Sequence, residues 1–202
     1  MHMTPRVAAH RILREVGRGE FADHSAHRIL RGVSSRDRGL ALELAYGCLR
    51  LRGRLDTWIG ALTDRPLPRI DADVLDWLRL GIYQLRELRI PDHAAVSETL
   101  RGARRSMDAG RVGFINAVLR AAARGEPAED PFPSRDSDPI GYLTTYGSHP
   151  EWLVRRWLDR WGWHAAWRLV KHDNEPPKPV LRLLGHGGCE DAARAAANGV
   201  EL

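Results

Sequence analysis

Two cysteines, Cys48 and Cys189, are the only thiols in the chain. Cys189 follows Gly185-His186-Gly187-Gly188, and a thiol at a helix start can acquire a lowered pKa and become a nucleophile. Those glycines match neither a phosphate-binding loop with its Lys-Ser/Thr nor the spaced dinucleotide fingerprint, so a surface loop is the better reading. Cys48 lies on an apolar stripe with Ala41, Leu44 and Ala45, the setting of a buried packing residue. His24 and His27 share a helix face, and the other seven histidines are scattered without the spacing of a zinc set. Asp71, Asp73 and Asp76 read as helix-start acids rather than a general acid/base pair. These residues assemble no reaction, and no catalytic, cofactor-binding or metal-binding residue is assigned within the chain.

Arginine offers a different chemistry. The chain carries 29 Arg but only two Lys, Lys171 and Lys178. Guanidinium groups suit bidentate phosphate contacts and base stacking, although so even a bias reads mainly as genome composition. Arg11, Arg14 and Arg18 recur on one helix face and are the cleanest candidates for phosphate contact. Arg36, Arg38, Arg50, Arg52 and Arg54 form a second cluster. On a continuous helix Arg36, Arg50 and Arg54 would lie opposite the apolar stripe, with Glu43 between them. A solvated helix face would carry the same stripe. The formal net charge of +5 and pI of about 9.7 favour an acidic partner such as nucleic acid.

The elements that would position these arginines are helices. Thr4-Pro5 is a helix start, a capping hydroxyl followed by a proline at the first helical position. Ala9, Ile12, Leu13 and Val16 then share the face opposite the arginines. A second helix is expected from Asp23 to Gly32. Ser34 or Ser35 caps a third, whose stripe runs in phase through Cys48 to Leu55, Ile59 and Leu62. A break at Gly53 is an open alternative. Arg65-Pro66-Leu67-Pro68 is a stop. Asp71 or Asp73 opens the next helix, with Val74, Leu78, Ile82 and Leu85 inward. Pro91-Asp92 begins another through Val96, Leu100, Ala103 and Met107, closed by Gly110. Val112, Ile115, Leu119 and Ala122 mark the last helix of this block.

Residues 1–124 contain no period-2 strand and are expected to be all-α. Residues 125–139, with four prolines among acidic and small residues, have a linker composition. A helix starts near Pro150, and five of the seven Trp lie between 152 and 167. Aromatics can be base-stacking platforms, but at helical spacing they are more often core or interface residues. Asn174-Glu175-Pro176-Pro177 is a turn, Pro179–Leu184 the first strand-like run, and Glu190–Asn198 a short helix. The chain stops at Leu202 just as helix–strand alternation begins, which reads as a recognition module attached to an enzyme rather than the enzyme. With no disulfide framework, no signal-peptide core and no apolar run near the roughly 20 residues that span a bilayer, a cytoplasmic location is expected, with no membrane partner.

Several phrases, in order along nearly the whole chain, resemble the NusB-like N-terminal part of the Sun/Fmu (RsmB-type) ribosomal RNA cytosine-5 methyltransferases. They are SSRDRGLALELAYGCLRLRGRLD at 34–56, LRLGIYQL at 78–85, IPDHAAVSETL at 90–100, VGFINAVLR at 112–120, SHPEWLVRRWLDRWG at 148–162 and NEPP at 174–177. The resemblance implies an all-α NusB-like helical bundle at 1–124 that binds RNA. A linker follows at 125–139, then the truncated start of an α/β methyltransferase region at 140–202. It further implies 16S rRNA as partner, the missing catalytic domain in cis, and S-adenosylmethionine as cofactor of the full-length enzyme.

In that family one cysteine, after a proline, attacks the cytosine ring, and a second helps release the product. Here Cys48 follows Gly47 and Cys189 follows Gly188, and the Gly-rich cofactor loop has no counterpart. After NEPP the family tends to show Arg, an apolar residue and Asn, whereas Arg182-Leu183 is followed by Leu184. The alternative is a stand-alone NusB-like RNA- or protein-binding module in transcription antitermination or ribosome assembly. The SHPEW…NEPP extension argues against that alternative, and the absence of a cofactor domain argues for it. Homodimerisation is compatible with either reading and has no sequence support of its own.

Overall fold

Nine α-helices and two single 3-10 turns account for all regular structure in the computed structural model, which describes residues 3–176. The expected strand at 179–184, the helix at 190–198 and Cys189 lie outside the described residues. Helix α1 (Pro5–Val16) begins at Pro5 as expected, but the Thr4 hydroxyl makes no capping bond. Proline at the first position has no N–H and so leaves one fewer unpaired amide at the helix start, and its fixed φ suits the first turn. Helix α2 (Ala22–Ile29) ends in a 3-10 turn at Leu30–Gly32.

The long stripe through Cys48 and Ile59 is two helices, α3 (Ser35–Arg50) and α4 (Arg52–Ala61). The break falls at Leu51 (φ −102°, ψ 24°) rather than at Gly53. A Cβ at Gly53 would stand 2.9 Å from the Thr144 carbonyl oxygen, so that glycine is needed for a close approach and not for a bend.

Helix α5 (Ala72–Arg86) starts with the Asp71 carboxylate accepting from the Asp73 amide at 2.9 Å. It is buried almost all round, with Asp76, Arg79 and Gln84 inside among the apolar side chains, and α1, α3, α4, α6 and α7 pack about it. Asp76 is not a helix-start acid. It is buried on α5, 2.8 Å from Arg79 and 3.5 Å from Arg14. Gly47, Gly81 and Gly102 admit Tyr83, Leu119 and Trp77 against helix backbones, so a Cβ at any of them would collide with a ring or a branched side chain.

Helices α6 (Asp92–Ala103) and α7 (Ala109–Ala123) are separated by a short turn. The expected stop at Gly110 is displaced: α6 ends at Ala103, Met107 lies in the turn, and Gly110 is inside α7. The Asp108 carboxylate accepts from the Arg111 amide at 3.0 Å and starts the helix across the glycine.

Residues between α7 and α8 (Pro139–Thr145) carry no regular structure, yet they are pinned. The Phe132 ring meets Trp58 edge-on at 5.4 Å and Tyr146 at 5.2 Å. Helix α9 (Glu151–Asp173) starts after Pro150 and kinks at Gly162, whose φ of 70° favours glycine. Leu143, Val154, Ala166 and Val170 form a second small core between α8 and α9. Trp157, Trp163 and Trp167 pack on it, whereas Trp152 and Trp161 are exposed. The core reading therefore holds for three of the five clustered tryptophans.

Candidate nucleic-acid interface

Helix α1 divides its polar side chains between two tasks. Arg6 and His10 face inward. Arg6 Nε donates to Gln84 Oε1 at 2.7 Å, and the His10 ring stacks on Trp77 with centroids 4.3 Å apart. Burial pushes the His10 imidazole below its ordinary pKa, against the opposing pull of the Asp73 carbonyl and carboxylate. Arg11 and Arg18 face outward and have no ionic partner among the described residues. Arg14 lies between them in the sequence but is held by the Asp73 and Asp76 carboxylates. The expected trio is thus two free guanidinium groups and one that is already neutralised.

These side chains edge a cleft of about 620 Å³, lined from the opposite side by Gly102, Arg105 and Ser106 at the end of α6. Arg105 is exposed and free of ionic partners among the described residues. Nothing in its local sequence singles it out, because only the packing of α6 against α1 brings it there. The acids on this cleft are engaged elsewhere, Asp73 with Arg14 and Glu15 with Arg28 at 2.6 Å.

The second expected cluster disperses. Arg36 and Arg38 are exposed on the first turn of α3, and Arg38 Nε donates to the Val33 carbonyl at 3.2 Å. Arg50 is half-buried, with its Nε–H unpartnered. Arg52 is exposed, 4.0 Å from Asp56.

Arg54 does not lie on an outer face. Its Nε donates to the Tyr146 carbonyl at 2.7 Å, its Nη1 pairs with Glu87 at 3.1 Å, and its guanidinium covers the Tyr146 ring at 4.1 Å. Its backbone amide donates to Ser148 Oγ at 2.8 Å, so Ser148 caps α4 from the far side of the chain. Ser148 has a φ of 58°, an uncommon conformation for serine, and this cap is what it achieves there. The break at Leu51 turns α4 away from α3 and carries Arg54 into this joint.

Another groove, of about 1100 Å³, runs between α6 and α7 over Val96, Leu100 and Val112, with Arg104, Arg120 and Arg124 on its rim. Cys48 is buried, and burial pushes its thiol pKa well above the ordinary value, so it is no nucleophile. Among the described residues no three His, Cys, Asp or Glu side chains are placed to share a metal ion. No helix among them is long and apolar enough to cross a membrane. The described residues contain no strand, and so no strand-to-helix turn of the kind that seats a cofactor in a doubly wound sheet.

An all-helical bundle with this order of elements has known counterparts. Residues 3–124 match the NusB family. The chain belongs to the NusB family. The solved structure of NusB from T. maritima superimposes with a TM-score of 0.54 at 23% identity, covering 61% of this chain and 93% of that one. That likeness establishes the NusB fold.

Full-length relatives are larger. A putative methyltransferase of Mycobacterium tuberculosis is 40% identical over 169 residues, 82% of this chain and 37% of that protein. The probable ribosomal RNA small subunit methyltransferase B of Bacillus subtilis is 36% identical over 174 residues, 84% of this chain and 38% of its own length. The ribosomal RNA small subunit methyltransferase B of Pseudomonas putida is 37% identical over 193 residues, 94% of this chain and 42% of its own. The chain therefore spans about two fifths of the length of these relatives. Their alignments exceed the NusB match and reach past residue 124 into the segment that contains α8 and α9.

Proposed function

We propose that this chain is the RNA-binding, substrate-recognition N-terminal region of an S-adenosylmethionine-dependent rRNA (cytosine-C5) methyltransferase, and that it performs no methylation by itself. The observation that carries this reading is the outer face of α1, where Arg11 and Arg18 project from a NusB-family bundle with no internal partner among the described residues. Exposed guanidinium groups on a rigid helix supply backbone contacts and orientation, while sequence choice and chemistry reside elsewhere.

In this reading the basic surface extends to Arg36, Arg38 and Arg52, and the target is a segment of 16S rRNA. Arg14, Arg50 and Arg54 contribute through the fold rather than through direct phosphate contact. Residues 140–202 then connect the bundle to a catalytic domain in cis, which would hold the cofactor and work in the cytoplasm. The contacts of Arg54 with Tyr146 and Ser148, and of Trp58 with Phe132, tie this extension to the bundle, which supports reading the two as parts of one working unit.

Binding of small-subunit rRNA fragments to the 202-residue chain tests the proposal. Affinity should fall steeply between about 50 and 200 mM salt. Arg11→Glu with Arg18→Glu should lower it at least about tenfold at low salt. Absence of RNA binding at low salt, or an unchanged affinity in the double variant, would refute the assignment to this face.

A further inference from the structure

We propose that the cleft between α1 and the end of α6 holds one unstacked nucleotide of single-stranded RNA. This deepens the RNA-binding reading and rests on it. The chemistry of the cleft is divided as a nucleotide's is. Arg11, Arg18 and Arg105 converge on its mouth from two elements that are far apart in sequence, and none of them has an ionic partner among the described residues. A phosphate placed there meets free guanidinium groups, because Asp73 and Glu15 are already engaged by Arg14 and Arg28.

Inside the mouth the wall turns apolar, with the Met3 and Val7 side chains beside the buried His10–Trp77 stack. Trp77 also keeps a buried indole N–H with no acceptor among the described residues. The volume of about 620 Å³ lies within the range that encloses a small organic ligand, which suits a base and its ribose. A duplex keeps its bases stacked and cannot fill such a recess, whereas a loop or bulge can splay one out. The α6–α7 groove also sets Arg104, Arg120 and Arg124 beside an apolar floor, but its lining includes the exposed Asp92 carboxylate, which has no ionic partner among the described residues to offset its repulsion of a phosphate.

Two variants of the 202-residue chain separate the cleft from the surrounding basic face. Ser106→Trp fills the recess from an exposed turn and leaves every arginine in place. Arg105→Ala removes one mouth guanidinium with little risk to folding. Affinities are read for a single-stranded oligoribonucleotide and for a duplex of the same length. Methyl NMR of Met3 and Val7 is followed with cytidine 5′-monophosphate and, separately, with inorganic phosphate.

The expected result is a loss of about tenfold in single-strand affinity for Ser106→Trp, about what covering one base face against apolar side chains supplies, with duplex affinity unchanged. Arg105→Ala should lower single-strand affinity about threefold or more, given one lost phosphate contact. The mononucleotide should shift both methyl groups, and inorganic phosphate should leave them in place. Should Ser106→Trp change neither affinity while Arg11→Glu lowers both, the cleft proposal falls and the basic-face reading stands. Equal methyl shifts with phosphate alone would reduce the site to an anion site and overturn the nucleotide assignment. If the unmodified chain binds no RNA at low salt, both readings fall together.

Discussion

At the scale of single residues, the ionic partner an arginine finds decides what it does. Arg11, Arg14 and Arg18 are alike in sequence, yet only Arg14 has carboxylates within reach, both contributed by α5. Spacing along one helix shows which arginines share a face, but Asp73 and Asp76 lie about sixty positions away and enter only when the helices pack. The same reason explains why Arg54 looked like part of a surface stripe. Replacing Arg54 with Ala should cost about 2–3 kcal/mol, since Glu87 loses its partner and the Tyr146 carbonyl its donor. Arg52→Ala should change stability by less than about 0.5 kcal/mol. Urea unfolding of both variants checks the contrast. His10 adds a pH dependence of known sign. Its imidazole pKa is lowered in the folded chain, so the unfolded chain binds more protons as pH falls below about 6.5. Stability is therefore full above that value and declines below it. His10→Gln should lose less stability than the unmodified chain between pH 7.5 and pH 5, as read from thermal midpoints at the two values.

At the scale of elements, the apolar periodicity of the first 124 residues reads as six helical stripes, because a helix that buries one stripe repeats it every third or fourth position, and the third stripe is two helices in the structure, α3 and α4. Helix ends were less legible. Asp108 starts α7 across Gly110, and the chain bends at Leu51, which has no local signature at all. The kink at Gly162 and the short α8 were also outside what the stripe could show, since α8 gives only Leu143 to a small second core that α9 supplies with Val154, Ala166 and Val170. Glycines show how strongly contact context overrides propensity. Gly47→Ala should destabilise by about 1–3 kcal/mol, because its Cβ would lie 2.1 Å from the Tyr83 ring. Gly113→Ala sits on an exposed turn of α7 with nothing within 4 Å, and should stabilise by about 0.5–1 kcal/mol. Chemical denaturation of the pair is a direct comparison, and equal shifts would contradict the packing argument.

At the scale of the whole molecule, a NusB-family bundle and a small helical extension are joined through α4. Residues 125–138 carry no regular structure and Pro139 already opens α8, but the prolines and acids of this segment cannot reveal that Phe132 is clasped by Trp58 and Tyr146. Phe132→Ala should therefore accelerate hydrogen exchange across α8 and α9 while leaving the α5 amides protected. Uniform loosening of both parts would mean that the ring supports the bundle itself. The fold was legible because it rests on local periodicity. The candidate site was only half legible because it depends on which side chains remain free after packing. Its central claim is that RNA lies against the outer face of α1. The most direct test is ultraviolet crosslinking of the 202-residue chain to small-subunit rRNA, with the joined peptides identified by mass spectrometry. The account predicts crosslinks concentrated at residues 3–18 and 102–106, with weaker ones at 36–38. Crosslinks confined to the α6–α7 groove or to Trp152 and Trp161 on α9, with none on α1, would contradict it.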